Sequence, residues 1–140
     1  MKTNNQHGFS LVELIIVIAI MVALAGIITP VYLIHIEKTR VQKDLSAAGE
    51  IYRAAEIVVY TGEYDIEETV LVTFNSNGIR LNLQGVTNPA EVENILKEHF
   101  GDQYNTAKPV SKKYKDKTYT VTILPPEEGS YIPRLSGGWS

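Results

Sequence analysis

The sequence predicts an α+β protein in which a long N-terminal helix packs its second half against a small antiparallel β-sheet. Two observations lead to this fold class. Residues 9–36 form an apolar run with a single formal charge, on Glu13, whereas most charged side chains belong to residues 37–140. In that second part, an apolar stripe at helical spacing is followed by short segments of alternating apolar and polar residues, a pattern typical of half-buried strands.

Composition limits the kinds of protein this chain can be. Its 140 residues are 44% hydrophobic and 21% charged, as in folded domains. The sequence has no cysteine, which excludes a disulfide framework, a thiolate metal site and a cysteine nucleophile. A net charge of -3 provides no general attraction to nucleic acid or anionic lipid, so such binding requires a local patch.

The first half of the long helix is predicted to span a membrane. At about 1.5 Å per residue, residues 9–29 already match a hydrocarbon core of about 30 Å. The short end before them carries Lys2 and no acid, so the positive-inside rule keeps it in the cytoplasm. The predicted organisation is a leader over residues 1–8, a membrane segment over 9–36 and an extracytoplasmic head over 37–140.

Two simpler interpretations of the apolar run stay open. One is a plain single-pass anchor. The other is a secretory signal peptide, because Ala23 and Ala25 before Gly26 fit the small-x-small cleavage pattern. Against a signal peptide, Glu13 would lie in its apolar core, and the apolar run continues beyond the cut.

Glu13 is the feature that a plain anchor leaves unexplained. A lone acid at the bilayer centre costs about 2.5 to 3.5 kcal/mol, and less near the interface, so it needs a partner or a function. On a helix that begins at Phe9, Glu13 lies one turn further along the same face. A cut between Gly8 and Phe9 would create an amino group close to this carboxylate, within one subunit or between neighbours.

Gly26 and Pro30 predict a kink near the end of the membrane run. Pro30 lacks an N-H and crowds the carbonyl of Gly26, which is itself a poor helix former. Beyond the kink the helix is predicted to continue to about residue 61, where Thr61 and Gly62 supply a stop. Its predicted core stripe consists of Val41, Leu45, Ala48, Tyr52, Ala55 and Val59.

Three later segments are predicted as antiparallel strands. ETVLVTF over residues 68–74 and IRLNL over 79–83 alternate in polarity, and Gly78 between them suits a hairpin turn with positive φ. KTYTVTIL over residues 117–124 is the clearest strand in the chain. The predicted core-facing residues are Val70, Val72, Phe74, Ile79, Leu81, Leu83, Tyr119, Val121 and Ile123.

A short helix and an irregular tail complete the predicted head. Asn88 is the predicted N-cap, Pro89 takes the first helical position, and Gly101 ends the helix. The tail, residues 125–140, is predicted to be irregular because it is rich in proline and glycine. The side chains expected to attach it to the head or to a neighbour are Tyr131, Ile132, Leu135 and Trp139.

The stretch GFSLVELI, with a polar leader before it and an apolar helix after it, resembles the processing signature of type IV pilins and pseudopilins. The coinciding features are Gly8 at the cut site, an aromatic first mature residue, Glu13 as fifth mature residue, the apolar run and Pro30. The resemblance covers residues 1–36 closely. It implies cleavage after Gly8 by a prepilin peptidase, N-methylation of Phe9, and neutralisation of an adjacent Phe9 amine by Glu13 during filament assembly.

The resemblance implies a pilin-like fold and a structural subunit of a type IV pilus filament, which serves adhesion, motility or DNA uptake. The implied partners are other copies of the chain, minor pilins, the prepilin peptidase, an assembly platform protein and a separate ATPase. The precursor would lie in the cytoplasmic membrane and the filament at the cell surface. Two alternatives stay open: a pseudopilin of a type II secretion or competence apparatus, and a monomeric membrane-anchored binding domain.

Sites for catalysis or metal binding are poorly represented in the sequence. It has no glycine-rich phosphate loop and no nucleophile elbow, so no enzyme activity and no cofactor are predicted. His7, His35 and His99 are too dispersed to indicate a metal triad. The acidic residues from Glu63 to Glu68 lack the ordered spacing of a calcium loop and are interpreted as a solvated segment.

Residues 108–117, KPVSKKYKDK, form a basic segment with an interleaved aromatic, Tyr114. Such a segment can contact a DNA backbone and stack on bases. The favoured interpretation is an exposed loop or edge strand whose lysines discourage edge pairing. The candidate basic patch comprises Lys112, Lys113, Lys115 and Lys117.

Overall fold

The computed structural model describes residues 8–61 and 65–140. It divides the chain into two compact units with a boundary after Lys38, and the second unit, Thr39–Ser140, is called the head unit below. The helices are α1 (Leu11–Thr61), α2 (Pro89–Phe100) and α3 (Gln103–Thr106). The strands are β1 (Val70–Asn75), β2 (Gly78–Asn82), β3 (Tyr119–Leu124) and β4 (Arg134–Trp139). The long N-terminal helix and the small sheet confirm the predicted α+β, pilin-like fold class.

Helix α1 begins two residues later than predicted and ends at Thr61, as predicted. The predicted stop at Gly62 lies outside the described residues. The buried residues of its second half are Asp44, Ala48, Ile51, Ala54, Ala55, Val58 and Val59.

The predicted core stripe on α1 was therefore partly wrong. The helical spacing of the stripe was correct, but the buried face is rotated around the helix from the predicted one. Leu45 is exposed, whereas Ile51 and Val58 are buried. The prediction passed over Ile51 because its stripe was drawn through Tyr52, which is only half-buried. Alanines at 48, 54 and 55 lie in the same core as the side chains of the sheet, and their small size leaves room for those side chains to pack.

The sheet has four strands in the order β2-β1-β3-β4, and every neighbouring pair is antiparallel. The β1–β2 hairpin was predicted correctly. Asn75 pairs with Gly78, whose φ of 94° is the left-handed conformation that glycine adopts readily. The Asn77 N-H donates to Asn75 Oδ1 at 2.9 Å and supports the turn.

The prediction of an irregular tail was wrong, because residues 134–139 form β4 on the edge of the sheet. Two consecutive glycines favour loops in a sequence, but Gly137 has a packing role here. A Cβ at Gly137 would lie 2.6 Å from Tyr119 Oη and 2.9 Å from Tyr52 Cδ2. The strand therefore approaches two tyrosines at a distance that only glycine allows. Leu135 and Trp139 pack against the core, whereas Tyr131 and Ile132 are exposed.

Helix α2 has the predicted bounds and the predicted N-cap residue, but lacks a capping hydrogen bond from that side chain. Asn88 occupies the N-cap position, and its side chain makes no capping hydrogen bond to the backbone. Its Nδ2 instead donates to Glu91 Oε2 at 2.6 Å. Gly101, with a φ of 53°, ends the helix as expected.

The core defines two ends of the head unit. Val70 and Val72 of β1 lie with Ala55 and Val58 of α1 around one small apolar pocket. Phe74, at the other end of β1, lies with residues 44 and 47 of α1. Strand β1 therefore runs antiparallel to α1, so the β1–β2 turn lies beside the start of the head unit's helix.

Candidate functional site

The first half of α1 is an apolar surface that its own unit leaves uncovered. Every residue from Gly8 to His35 is exposed. Within the described residues, α1 is the single helix long and apolar enough to cross a membrane, with a mean hydropathy of 3.0 over its most apolar 18 residues and none of them buried. Burying apolar surface is worth roughly 25 cal/mol per Å², so this helix is driven toward lipid or toward other apolar helices.

Glu13 lies in the first turn of this helix, the one acidic residue there. A carboxylate near a helix N-terminus interacts favourably with the unpaired N-H groups and with the helix dipole. Phe9 lies two residues before the helix and is 87% exposed, and the shared face of Phe9 and Glu13 stays a prediction. The described backbone contact nearest the predicted cut is the Leu14 N-H donating to Ser10 O at 3.2 Å.

Helix α1 is continuous through Gly26 and Pro30. The Thr29 hydroxyl donates a hydrogen bond to Ala25 O at 2.6 Å. This side-chain bond lies next to the Gly26 carbonyl, which receives no backbone hydrogen bond from Pro30. Space around Gly26 is open, with nothing within 4 Å of a Cβ built there. The kink itself stays a prediction.

A buried carboxylate that sequence reasoning missed fixes the basic segment to α1. Asp44 is 1% exposed. Its Oδ1 accepts the Val110 N-H at 2.8 Å, and its Oδ2 accepts the Ser111 N-H at 2.9 Å and also the Ser111 hydroxyl. Ser111 is fully buried, and its carbonyl accepts the Lys115 N-H at 2.9 Å. The sequence did contain an indication of this buried acid. Asp44 lies four residues before Ala48, and therefore on the helix face that packs on the sheet.

The structure separates the predicted basic patch into two parts. Lys112 and Lys115 line a surface depression together with Lys108 and two residues of α1, Arg40 and Lys43. Both α1 residues precede the basic segment by more than 60 positions, so no local pattern in the sequence links them to it. Lys113 and Lys117 are exposed and do not line this depression.

Tyr114 is not available for stacking on a nucleic-acid base. It is 7% exposed, and its ring stacks on Trp139 with centroids 4.2 Å apart. Lys113 Nζ lies 5.1 Å from the centroid of the Tyr114 ring, a cation–π distance. The basic segment is a series of turns rather than an edge strand. DNA binding by its lysines stays a prediction, but stacking of a base on Tyr114 is no longer part of it.

The acidic segment was predicted to be solvated, and Asp65, Glu67 and Glu68 are exposed. The backbone N-H groups of Glu67 and Glu68 both point to the carbonyl of Gly85, at 2.9 and 3.4 Å. Glu63 and His7 lie outside the described residues. Among residues 8–61 and 65–140, no three metal-binding side chains lie close enough together to hold an ion.

Burial raises the pKa of Tyr119 above its ordinary value of 10.0, and the nearby Tyr52 adds to the shift. Burial also raises the pKa of Tyr104, and the negative charge of Glu93 raises it further, against the opposing effect of Lys97 and Arg80. A raised pKa means that the folded head unit keeps the phenol proton at pH values where the unfolded chain has lost it. The stability from this effect is present below about pH 10 and is lost as the pH rises through the folded-state pKa.

We therefore expect the free energy of unfolding to fall above about pH 10, and to fall less steeply in Tyr119→Phe. Urea unfolding of the detergent-solubilised chain, followed by the fluorescence of its single tryptophan, measures this. Tyr131→Phe is the matched control, because Tyr131 is 98% exposed. An equal alkaline slope in parent and Tyr119→Phe would contradict the prediction.

Comparisons with known proteins bear on the N-terminal segment most directly. Residues 3–29 match the family described as the prokaryotic N-terminal methylation motif. The chain is also 40% identical over 58 residues to the type IV major fimbrial protein FimA of Dichelobacter nodosus, over 41% of this chain and 37% of that protein. By motif and by relatives, the chain is type IV pilin-like or pseudopilin-like.

A second relative of this pilin-like chain extends into the head unit. Prepilin peptidase-dependent protein A of Clostridium perfringens (strain 13 / Type A) is 26% identical over 111 residues, which cover 74% of this chain and 79% of that protein. The pilin-like chain spans little more than a third of the fimbrial protein's length in its match. No solved structure matches it significantly. One of these relatives is thus named as a fimbrial protein and the other as dependent on a prepilin peptidase.

Proposed function

We propose that this chain is a structural subunit of a type IV pilus filament. The observation that carries the proposal is the exposed apolar surface of α1, which none of the described residues of its own unit covers. Such a surface is insoluble in water, but a helix can exchange lipid contacts for contacts with identical helices without losing burial. The helices would form the filament core and the head units would coat it.

Processing precedes assembly in this proposal. A prepilin peptidase cuts after Gly8, and the new amino group of Phe9 is methylated. Glu13 then pairs with the Phe9 amine of an adjacent subunit, so that an isolated carboxylate in an apolar environment gains an oppositely charged partner. Gly26 and Pro30 weaken the helix at the end of the membrane segment, where a filament would need it to bend or stretch.

The chain needs partners for this sequence of events. They are other copies of itself, minor pilins, the prepilin peptidase, an assembly platform protein and a separate ATPase. The precursor is a single-pass protein with its N-terminus in the cytoplasm, and the assembled form lies at the cell surface. A pseudopilin of a secretion or competence apparatus uses the same processing and the same helix, and differs in the length of the fibre it builds.

The first experiment is the intact mass and N-terminal sequence of the protein recovered from its host's envelope. We expect a chain that starts at Phe9 and carries one additional methyl group. A start at Met1 would contradict processing and leave a simple anchor, whereas a start at Gly26 would indicate a secreted domain. Electron microscopy of the same cells then distinguishes long surface fibres from a short pseudopilus.

A further inference from the structure

The head unit carries opposite charges at its two ends. At the end with the β1–β2 turn, five cationic side chains and Ser76 line one depression, and no acidic residue lines it. Two of the cations come from α1 and three from residues 108–115. The Asp44 anchor holds the two segments together, because its carboxylate binds the backbone at residues 110 and 111. The cations of this basic depression are Arg40, Lys43, Lys108, Lys112 and Lys115.

The other end of the head unit is acidic. Asp65 and Glu67 line a depression there with Val59 of α1 and with Pro126 and Tyr131 of the β3–β4 connection. Exposed carboxylates border it on both sides, because Glu68 follows it on one segment and Glu127 and Glu128 follow Pro126 on the other. The cation closest in sequence, Arg134, already pairs with Glu127 at 2.5 Å.

The two depressions lie far apart along α1. The basic one includes Lys43 and the acidic one includes Val59, which are about 24 Å apart at 1.5 Å per residue of helix. Strand β1 runs antiparallel to this part of α1, which puts Ser76 at the basic end and Glu68 at the acidic end. A contact between the two depressions therefore requires two different copies of the chain.

We propose that the acidic depression of one head unit binds the basic depression of the next copy, head to tail. This inference rests on the proposed filament, in which the helices run parallel and all head units point the same way. A contact between two different patches leaves one patch of each end subunit unused, so it can repeat along an open filament whenever its rotation does not close a ring. A second copy is a better occupant than an unrelated polyanion because the complementary carboxylates lie on the same chain, whose net charge is -3.

This contact determines which surfaces of neighbouring head units meet and contributes little to the affinity between subunits. A single exposed ion pair contributes little stability and is screened by salt, so several weak pairs would specify which surfaces meet. The apolar helices would supply most of the stability of the filament. Reversing one end should therefore lower assembly several-fold without abolishing membrane insertion.

Engineered cysteines test the contact directly, because the chain has no cysteine of its own. Lys115→Cys combined with Glu67→Cys should give a ladder of disulfide-linked multimers when filaments from the host are oxidised. The matched control is Lys115→Cys combined with Glu98→Cys, whose second cysteine lies on an exposed position of α2. Filaments that give no ladder with the first pair, or an equal ladder with the control, would overturn the contact and leave the proposed function standing.

Charge exchange provides the second test. Lys108→Glu with Lys115→Glu should lower the yield of sheared filaments several-fold, as should Glu67→Lys with Glu68→Lys. The four changes together should restore it, because each end then meets its opposite again. Lys113→Glu with Lys117→Glu alters the net charge equally but outside the depression, and should leave the yield unchanged.

The outcomes separate this contact from the filament itself. Failure of the four-fold exchange to restore the yield would overturn the head-to-tail contact. A parent chain that is not cut after Gly8 and forms no filaments would overturn the proposed function and the contact together.

Discussion

Glu13→Ala is expected to lower filament yield at least about tenfold, while the chain is still cut after Gly8. In the assembled helices the carboxylate would lie in an apolar environment opposite the Phe9 amine of a neighbour. Removing one member of such a pair leaves the other charge buried and unpaired, which costs about 3–5 kcal/mol, and about 1.4 kcal/mol already corresponds to a factor of ten.

The measurement is the amount of sheared filament per cell, with the mature N-terminus determined in parallel. Glu13→Gln separates charge from size, because the amide keeps the shape but cannot neutralise an amine. Val12→Ala is a matched control on the same turn that keeps the carboxylate. Normal filament yield from Glu13→Ala would refute the role assigned to this residue, and an uncut chain would shift the role to recognition by the peptidase.

Asp44→Ala is expected to destabilise the head unit by about 3–5 kcal/mol, the largest effect of any single change outside the core. The substitution leaves two buried donors of Ser111, its N-H and its hydroxyl, without their acceptor, and also the partly buried N-H of Val110. Each unsatisfied buried donor costs about 1–3 kcal/mol. Ser111→Ala should cost less, because it removes one donor together with its hydrogen bond.

Two measurements test the Asp44 anchor. Urea unfolding of the full chain in detergent, followed by Trp139 fluorescence, reports the head unit, because Trp139 stacks on Tyr114 of the anchored segment. Limited trypsin digestion reports the segment itself, and cleavage after its lysines should accelerate in Asp44→Ala. Glu50→Ala changes an exposed acid on the same helix and should alter neither. Parent-like unfolding of Asp44→Ala would contradict the anchor.

Much of the head unit could be predicted locally. Alternation identified β1, β2 and β3, and the Pro89 and Gly101 signals bounded α2. Strand β4 could not be predicted, because Gly137 and Gly138 carry no strand signal of their own. Their place in the sheet depends on Tyr119 and Tyr52, which occupy the space that a side chain at Gly137 would need.

The sites divide in the same way. Gly8, Phe9 and Glu13 lie within six consecutive residues, and their motif can be identified without a structure, in agreement with the match over residues 3–29. The sequence by itself determined the membrane-competent helix, the methylation motif and most strands, because these depend on polarity and spacing between near neighbours. Only the tertiary structure decided the buried face of α1, the Asp44 anchor and the grouping of Lys43 with Lys108. The buried face of α1 depends on its packing against the sheet, and the other two depend on contacts between residues more than 60 positions apart. Local periodicity does not encode such contacts.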